Sequence, residues 1–200
     1  MKYLTKFCCL VLLGLILSFN CHAQVEQNIS KDFLAYNNLI ANKDFTSSAE
    51  YIPEELFAVI SKEQMITAMK TAMNNPAIEY EINGTNISSI GLVKKINNKH
   101  YSIIKYVSNL RMRFKDISAT ADTADASAKL GLVMLSLKNN FGADNVKLDD
   151  ATGWFDIAAN KKVCAISANG QSNWKFIVLE PKQRLLIDKV LPKEITATLN

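Results

Sequence analysis

The sequence predicts an α+β fold: helices first, then a curved antiparallel sheet, with one further helix set among the strands. Three observations carry that prediction. Apolar residues recur at helical spacing from Ile29 to Met73; they alternate with polar residues from Ile78 onward; and helical spacing returns once, from Leu130 to Phe141. Of 200 residues, 48% are hydrophobic, with only 7 Gly and 4 Pro, which excludes a disordered or collagen-like chain.

The first 23 residues belong to a different object. Lys2 and Lys6 precede the uncharged run Phe7–Leu17, then Ser18, Asn20, Cys21, His22 and Ala23. A basic start, a short apolar run and small residues before a cleavage point define a secretory signal, expected to be cut between Ala23 and Gln24. The run is shorter than the roughly 20 residues that span a bilayer, so no integral span is expected after cleavage. Lipid anchoring at Cys21 is less favoured, because Phe19 and Asn20 stand where a lipoprotein signal has small residues. The expected location is therefore secreted or periplasmic. Loss of the signal removes Lys2 and Lys6 and leaves a net charge of about +2, too little for a nucleic-acid partner. It also removes Cys8, Cys9 and Cys21, so Cys164 alone remains and no internal disulfide is expected. Residues 24–200 are expected to form a single domain held by its core.

The elements follow in order. Ile29, Phe33, Tyr36 and Ile40 share one face of a helix over about 25–42. Asp44 can cap a short helix through Ser48, and Pro53 with Glu54 and Glu55 opens another toward Ile60. Ser61 with Gln64 is a capping box for a helix that sets Met65, Ile66, Met69, Ala72 and Met73 on one side. Ile78, Tyr80 and Ile82 alternate with Glu79, Glu81 and Asn83 in a strand, and Asn83–Gly84 is a turn or bulge. Asn97–Asn98 turns the chain into the strand Tyr101–Val107, and Leu110, Met112 and Phe114 then alternate with Arg111, Arg113 and Lys115. After a loop at Ser118–Ser127, with Asp122 or Thr123 as cap, comes the helix over about 125–141, which Gly142 ends. Strands are expected at Trp154–Ala158, Lys162–Ala168, Trp174–Leu179 and Arg184–Asp188, with turns at Asn160 and Asn169–Gly170. A short tail helix follows Pro192.

The stretches Asn42–Phe45, Tyr51–Phe57 and Ser61–Ile66 resemble small secreted bacterial proteins of the NTF2-like (SnoaL-like) superfamily. The likeness covers roughly residues 28–116 and implies a cone, formed by a curved antiparallel sheet and closed by the first helices. The helix near 125–141 departs from that pattern. The resemblance implies one of three roles. The first is binding of a small apolar ligand or a protein partner without catalysis. The second is an isomerase- or cyclase-like activity with an inward carboxylate in the cone. The third is a structural homodimer paired through its sheet.

Few residues are equipped for chemistry. With His100 and Cys164 the only His and Cys after cleavage, no metal site or other cofactor is expected, and Asp149–Asp150 reads as a solvated loop. No glycine-rich phosphate loop is present. Cys164 in Val163–Ile166 reads as a buried inert thiol, and His100 as a strand-edge residue. For the cone, strand parity offers Tyr80, Tyr106, Trp154 and Trp174 as ligand-binding candidates and Asp156 as the candidate base. Arg111, Arg113 and Lys115, with Glu79 and Glu81, read as a solvent-facing ladder, or as a stripe for an acidic partner or anionic glycan. Asp122–Thr123–Ala124 matches a short O-glycosylation triplet at Thr123.

Overall fold

The computed structural model describes residues 23–115 and 124–199. The N-terminal run with Cys21, and the cap and glycosylation triplet at Asp122–Thr123, lie outside the described residues. The fold is α+β, with helices ahead of a curved, unclosed antiparallel sheet.

Helix α1, described over 23–41, buries Ile29, Phe33 and Tyr36 on its predicted face. Asp44 caps α2 (Phe45–Ser48) by accepting the Ser47 N–H at 3.0 Å. Pro53 precedes α3 (Glu54–Phe57) as its cap residue rather than standing inside its first turn. Ser61 and Gln64 form the full capping box of α4 (Lys62–Met73). The apolar stripe of α4 is only half-buried, and none of its residues is fully buried.

Six strands build the sheet: β1 (Ile78–Ile90), β2 (Lys94–Ile96), β3 (Lys99–Phe114), β4 (Val146–Asp149), β5 (Trp154–Ser167) and β6 (Lys175–Val178). The order is β1-β3-β5-β4, with β2 on β3 and β6 on β5. Asn97 (φ 47) and Asn98 (φ 64) are both left-handed, as a tight hairpin between β2 and β3 requires. Asn83–Gly84 is a bulge and not a turn: the β1–β3 register shifts between Ile82 and Thr85, and again between Ile87 and Ser89. Such bulges bend the strand that carries them. Helix α5 (Ala124–Phe141) runs as expected to Gly142, whose φ of 96 stops it.

Three local features depart from the expected elements. Asn160 does not turn the chain. It lies inside β5 opposite Val107, because β3 pairs β5 without a break from His100↔Ser167 to Met112↔Phe155. Residues 184–188 are helical, in α6 (Arg184–Val190), not a strand. There Arg184 Nε meets Asp188 Oδ2 at 2.9 Å, one turn apart, and Leu185 is 85% exposed while Ile187 is 1% exposed. A strand would have put those two side chains on one face. Third, β4 was not anticipated: its only signal is Val146 and Leu148 alternating over four residues.

Register fixes the two faces. Tyr80, Tyr106, Leu110, Met112, Phe155, Ile157, Val163 and Phe176 share the inner face. Two helical layers cover it. Under α1, Phe33 meets Tyr106 edge-on at 4.9 Å and Phe176 at 5.2 Å, while Tyr36 stacks on Phe176 at 5.7 Å. Under α5, Leu110, Leu137, Val146, Phe155 and Ile157 form a second core. Among the described residues the outer face is covered only at one end, where Cys164, Ile166 and Ile177 are buried with Ile187 of α6, Leu191 after it and Ile195 of α7 (Lys193–Thr196). The unbroken apolar run Val163–Ile166 thus has helices on both sides. Polar pins seat α1: Asp32 Oδ2 accepts the Trp174 N–H at 3.0 Å, and the Asn28 amide donates to Gln171 O at 2.8 Å.

Candidate functional site

The fourth column of the sheet is interrupted. β4 pairs β5 at Trp154–Ile157 and β6 pairs it at Val163–Ile166, so among the described residues the stretch between them has no strand neighbour on the edge away from β3. The Leu179 N–H bonds Lys162 O at 2.9 Å, and the chain then turns away through Glu180 and Pro181. A cleft of about 530 Å³ opens at this gap, where Tyr106, Asn140, Lys161, Leu179, Glu180 and Pro181 contribute to its lining.

Two charges meet in it. Lys161 sits at an inner-face position of β5, opposite Tyr106, and its ammonium is ion-paired to Glu180. Both side chains are about 30% exposed. Lys161 also lies 5.9 Å from the Phe141 ring centroid at the end of α5. Burial raises the Tyr106 phenol well above its usual range, and the nearby Tyr36, Glu180 and Tyr80 raise it further. The arrangement can hold a small molecule by an apolar body against Tyr106, Leu179 and Pro181, and by a polar group at Lys161, Glu180 and Asn140. Sequence reasoning found Tyr106 but missed Lys161 and Glu180. Lys161 carried one signal, a charge at the apolar parity of β5.

The structure scatters the predicted site residues. Tyr106 lines the cleft; Tyr80 and Trp154 line a separate groove beside β1; Trp174 is 1% exposed in the core under α1. Asp156 does not point inward. Register puts it on the outer face beside Trp154, and Arg111 Nε donates to its Oδ1 at 2.8 Å, with the carboxylate side chain 53% exposed. The expected apolar pocket around Asp156 is therefore replaced by an open ion pair.

The charged stripe forms the expected ladder in part: Glu79 pairs with Arg113 and Lys115, whereas Arg111 pairs with Asp156 of β5. Glu79 faces Arg113 and Glu81 faces Arg111 across β1 and β3, and Arg113 Nε donates to Glu79 Oε2 at 2.6 Å. Arg111 and Arg113 both stack near the Trp154 ring, 4.9 and 5.0 Å from its centroid. Exposed pairs of this kind contribute about 0.2–1 kcal/mol each.

Cys164 is fully buried, and burial pushes its thiol up to about 12. His100 lies on the opposite face of the sheet from Cys164, so the two do not form a pair. Asp149 ends β4 and accepts the Ala151 N–H at 3.1 Å; its hydrogen bond from Thr152 holds its carboxyl below the usual range. Among the described residues no group of three metal-ligating side chains converges, and no helix is long and apolar enough to cross a membrane. Comparison with protein-family models, curated proteins and solved structures finds no match to this chain.

Proposed function

We propose that this chain is an exported, NTF2-like binding domain that holds a small amphipathic ligand in the cleft at Tyr106, Lys161 and Glu180, without catalysis. The helices-first order and the curved sheet support the family reading, and the basic, apolar and small-residue run before Gln24 supports export.

One observation carries the choice of site. The space under α1 is filled by the protein's own rings, Phe33, Tyr36, Tyr106 and Phe176, so it does not offer an apolar ligand chamber. Where those rings stop, the cleft combines the aromatic wall of Tyr106 with the ion pair whose two side chains are, among the described residues, the least exposed. Desolvating an ion pair costs several kcal/mol per ion before the mutual attraction is counted. A ligand that uses both charges gives that arrangement a role beyond packing.

Native mass spectrometry of the mildly purified protein tests this. A retained small-molecule mass is expected, and it should be lost in the Lys161→Met/Glu180→Gln double variant, which removes both charges together. Anilinonaphthalenesulfonate, an aromatic anion, serves as a probe of the same site and should bind the folded protein but not the variant. Equal probe binding by the two proteins would refute the assignment.

A further inference from the structure

β1 ends the sheet, and among the described residues its outer edge has no strand partner. An open edge of this length is normally blunted, because its free N–H and C=O groups invite another chain. Here the two bulges blunt only the segment after Ile82; Ile78–Ile82 keeps a regular register. A groove of about 780 Å³ runs beside that segment, walled by Lys43, Met73 and Pro76 and reaching Trp154. Chain alternation gives the edge a fixed pattern. Ile78, Tyr80 and Ile82 are half-buried on the inner side, and Glu79 and Glu81 stand on the outer side. Glu79 is already held by Arg113 and Lys115, while Glu81 is exposed and makes no ion pair among the described residues.

We propose that the Ile78–Ile82 edge of β1 accepts an extended peptide segment of alternating apolar and basic residues as an added strand. Edge addition takes its affinity from backbone hydrogen bonds and its specificity from alternate side chains. Apolar residues would continue the inner row, and a Lys or Arg would face Glu81. The other side of β1 shows the pattern already satisfied once, by Leu110–Arg111–Met112–Arg113–Phe114 of β3. A second copy of β1 fits poorly, since the symmetric register about Tyr80 sets Glu79 against Glu81 twice, and like charges directly opposite are destabilising. This site is separate from the Tyr106 cleft and stands without it.

The test uses the whole protein and a fluorescent synthetic peptide repeating residues 108–115. The peptide should raise anisotropy saturably below about 1 mM. A peptide carrying Arg111→Glu and Arg113→Glu should bind at least about fivefold more weakly, the effect of losing the cation that faces Glu81 and setting a like charge opposite it. The exposed Glu81→Lys variant should narrow or reverse that preference. Methylation of two successive peptide nitrogens should abolish binding, because one of them must face β1. No saturable binding, or equal binding of both charge forms, overturns the proposal. So does a concentration-dependent dimer that the peptide fails to dissociate, which would make a second copy the occupant.

Discussion

At the residue scale, the protein keeps several weak acids in their neutral form by burial. Tyr36 is pushed up to about 12, Cys164 likewise, and Tyr106 is raised further. In an unfolded chain thiols ionise near 8.5 and phenols near 10. Above those values the unfolded state sheds protons that the folded state retains, so unfolding is favoured as pH rises. Stability from these groups is therefore full below about pH 8.5 and is lost progressively toward pH 12. Tyrosinate absorbance and far-UV circular dichroism should change together in that window, and Tyr36→Phe should move the midpoint to higher pH. A Tyr36 tyrosinate signal, read as the difference between the wild-type and Tyr36→Phe absorbance, that appears near pH 10 with the fold intact would show that this phenol is not held by burial. Gly170 poses a steric question of the same size. Its φ is +73, and a Cβ there would lie 2.7 Å from the His100 ring. Gly170→Ala should cost about 1–3 kcal/mol in chemical denaturation. Part of the loss should return in the Gly170→Ala/His100→Ala double variant, because only the ring clash, and not the left-handed backbone, is relieved.

At the element scale, what was readable in the sequence was what local chemistry decides. Asp44 and Ser61–Gln64 named their helix starts because a cap satisfies its own backbone within three residues. Asn97–Asn98 and Gly142 marked ends by backbone conformation. Pairing partners overruled local signals elsewhere. Asn160 reads as a turn until the long β3 strand holds it in line, and Leu185–Ile187 reads as a strand until packing takes Ile187 into the core and leaves Leu185 in solvent. The cleft was legible only at Tyr106. Lys161 and Glu180 stand 19 residues apart and meet because β6 folds back on β5. Helix α4 depends most on local chemistry, since it buries no residue fully. Ser61→Ala should therefore cost about 1 kcal/mol, expressed as roughly fivefold faster amide exchange confined to residues 62–73. Uniformly faster exchange across the sheet would instead mean that α4 is integral to the global core.

At the scale of the whole molecule, two cores share one sheet. The first gathers Phe33, Ile104, Val163 and Phe176 beneath α1; the second gathers Leu110, Phe155, Ile157 and Leu137 beneath α5. Separate cores invite separate unfolding, yet β3 and β5 run through both in one ladder of thirteen register pairs. Breaking either half would leave strands of the other unpaired along part of their length, which exposes backbone groups and apolar side chains at once. The halves should therefore unfold together, as a cooperative unit of this size usually does. The two tryptophans report on one half each. Trp174 is buried with the first core, and Trp154 lies at the α5 end of β5 beneath Arg111 and Arg113. Trp154→Phe and Trp174→Phe each leave a single emitter, with Trp174 expected to emit further to the blue. Urea curves from each variant's fluorescence should coincide with its own circular dichroism curve. If instead the Trp154 signal is lost at lower urea than the ellipticity of the same variant, the α5 half opens first. The cleft at Lys161 and Glu180, set between the two covers, would then lie on a hinge rather than in a rigid floor.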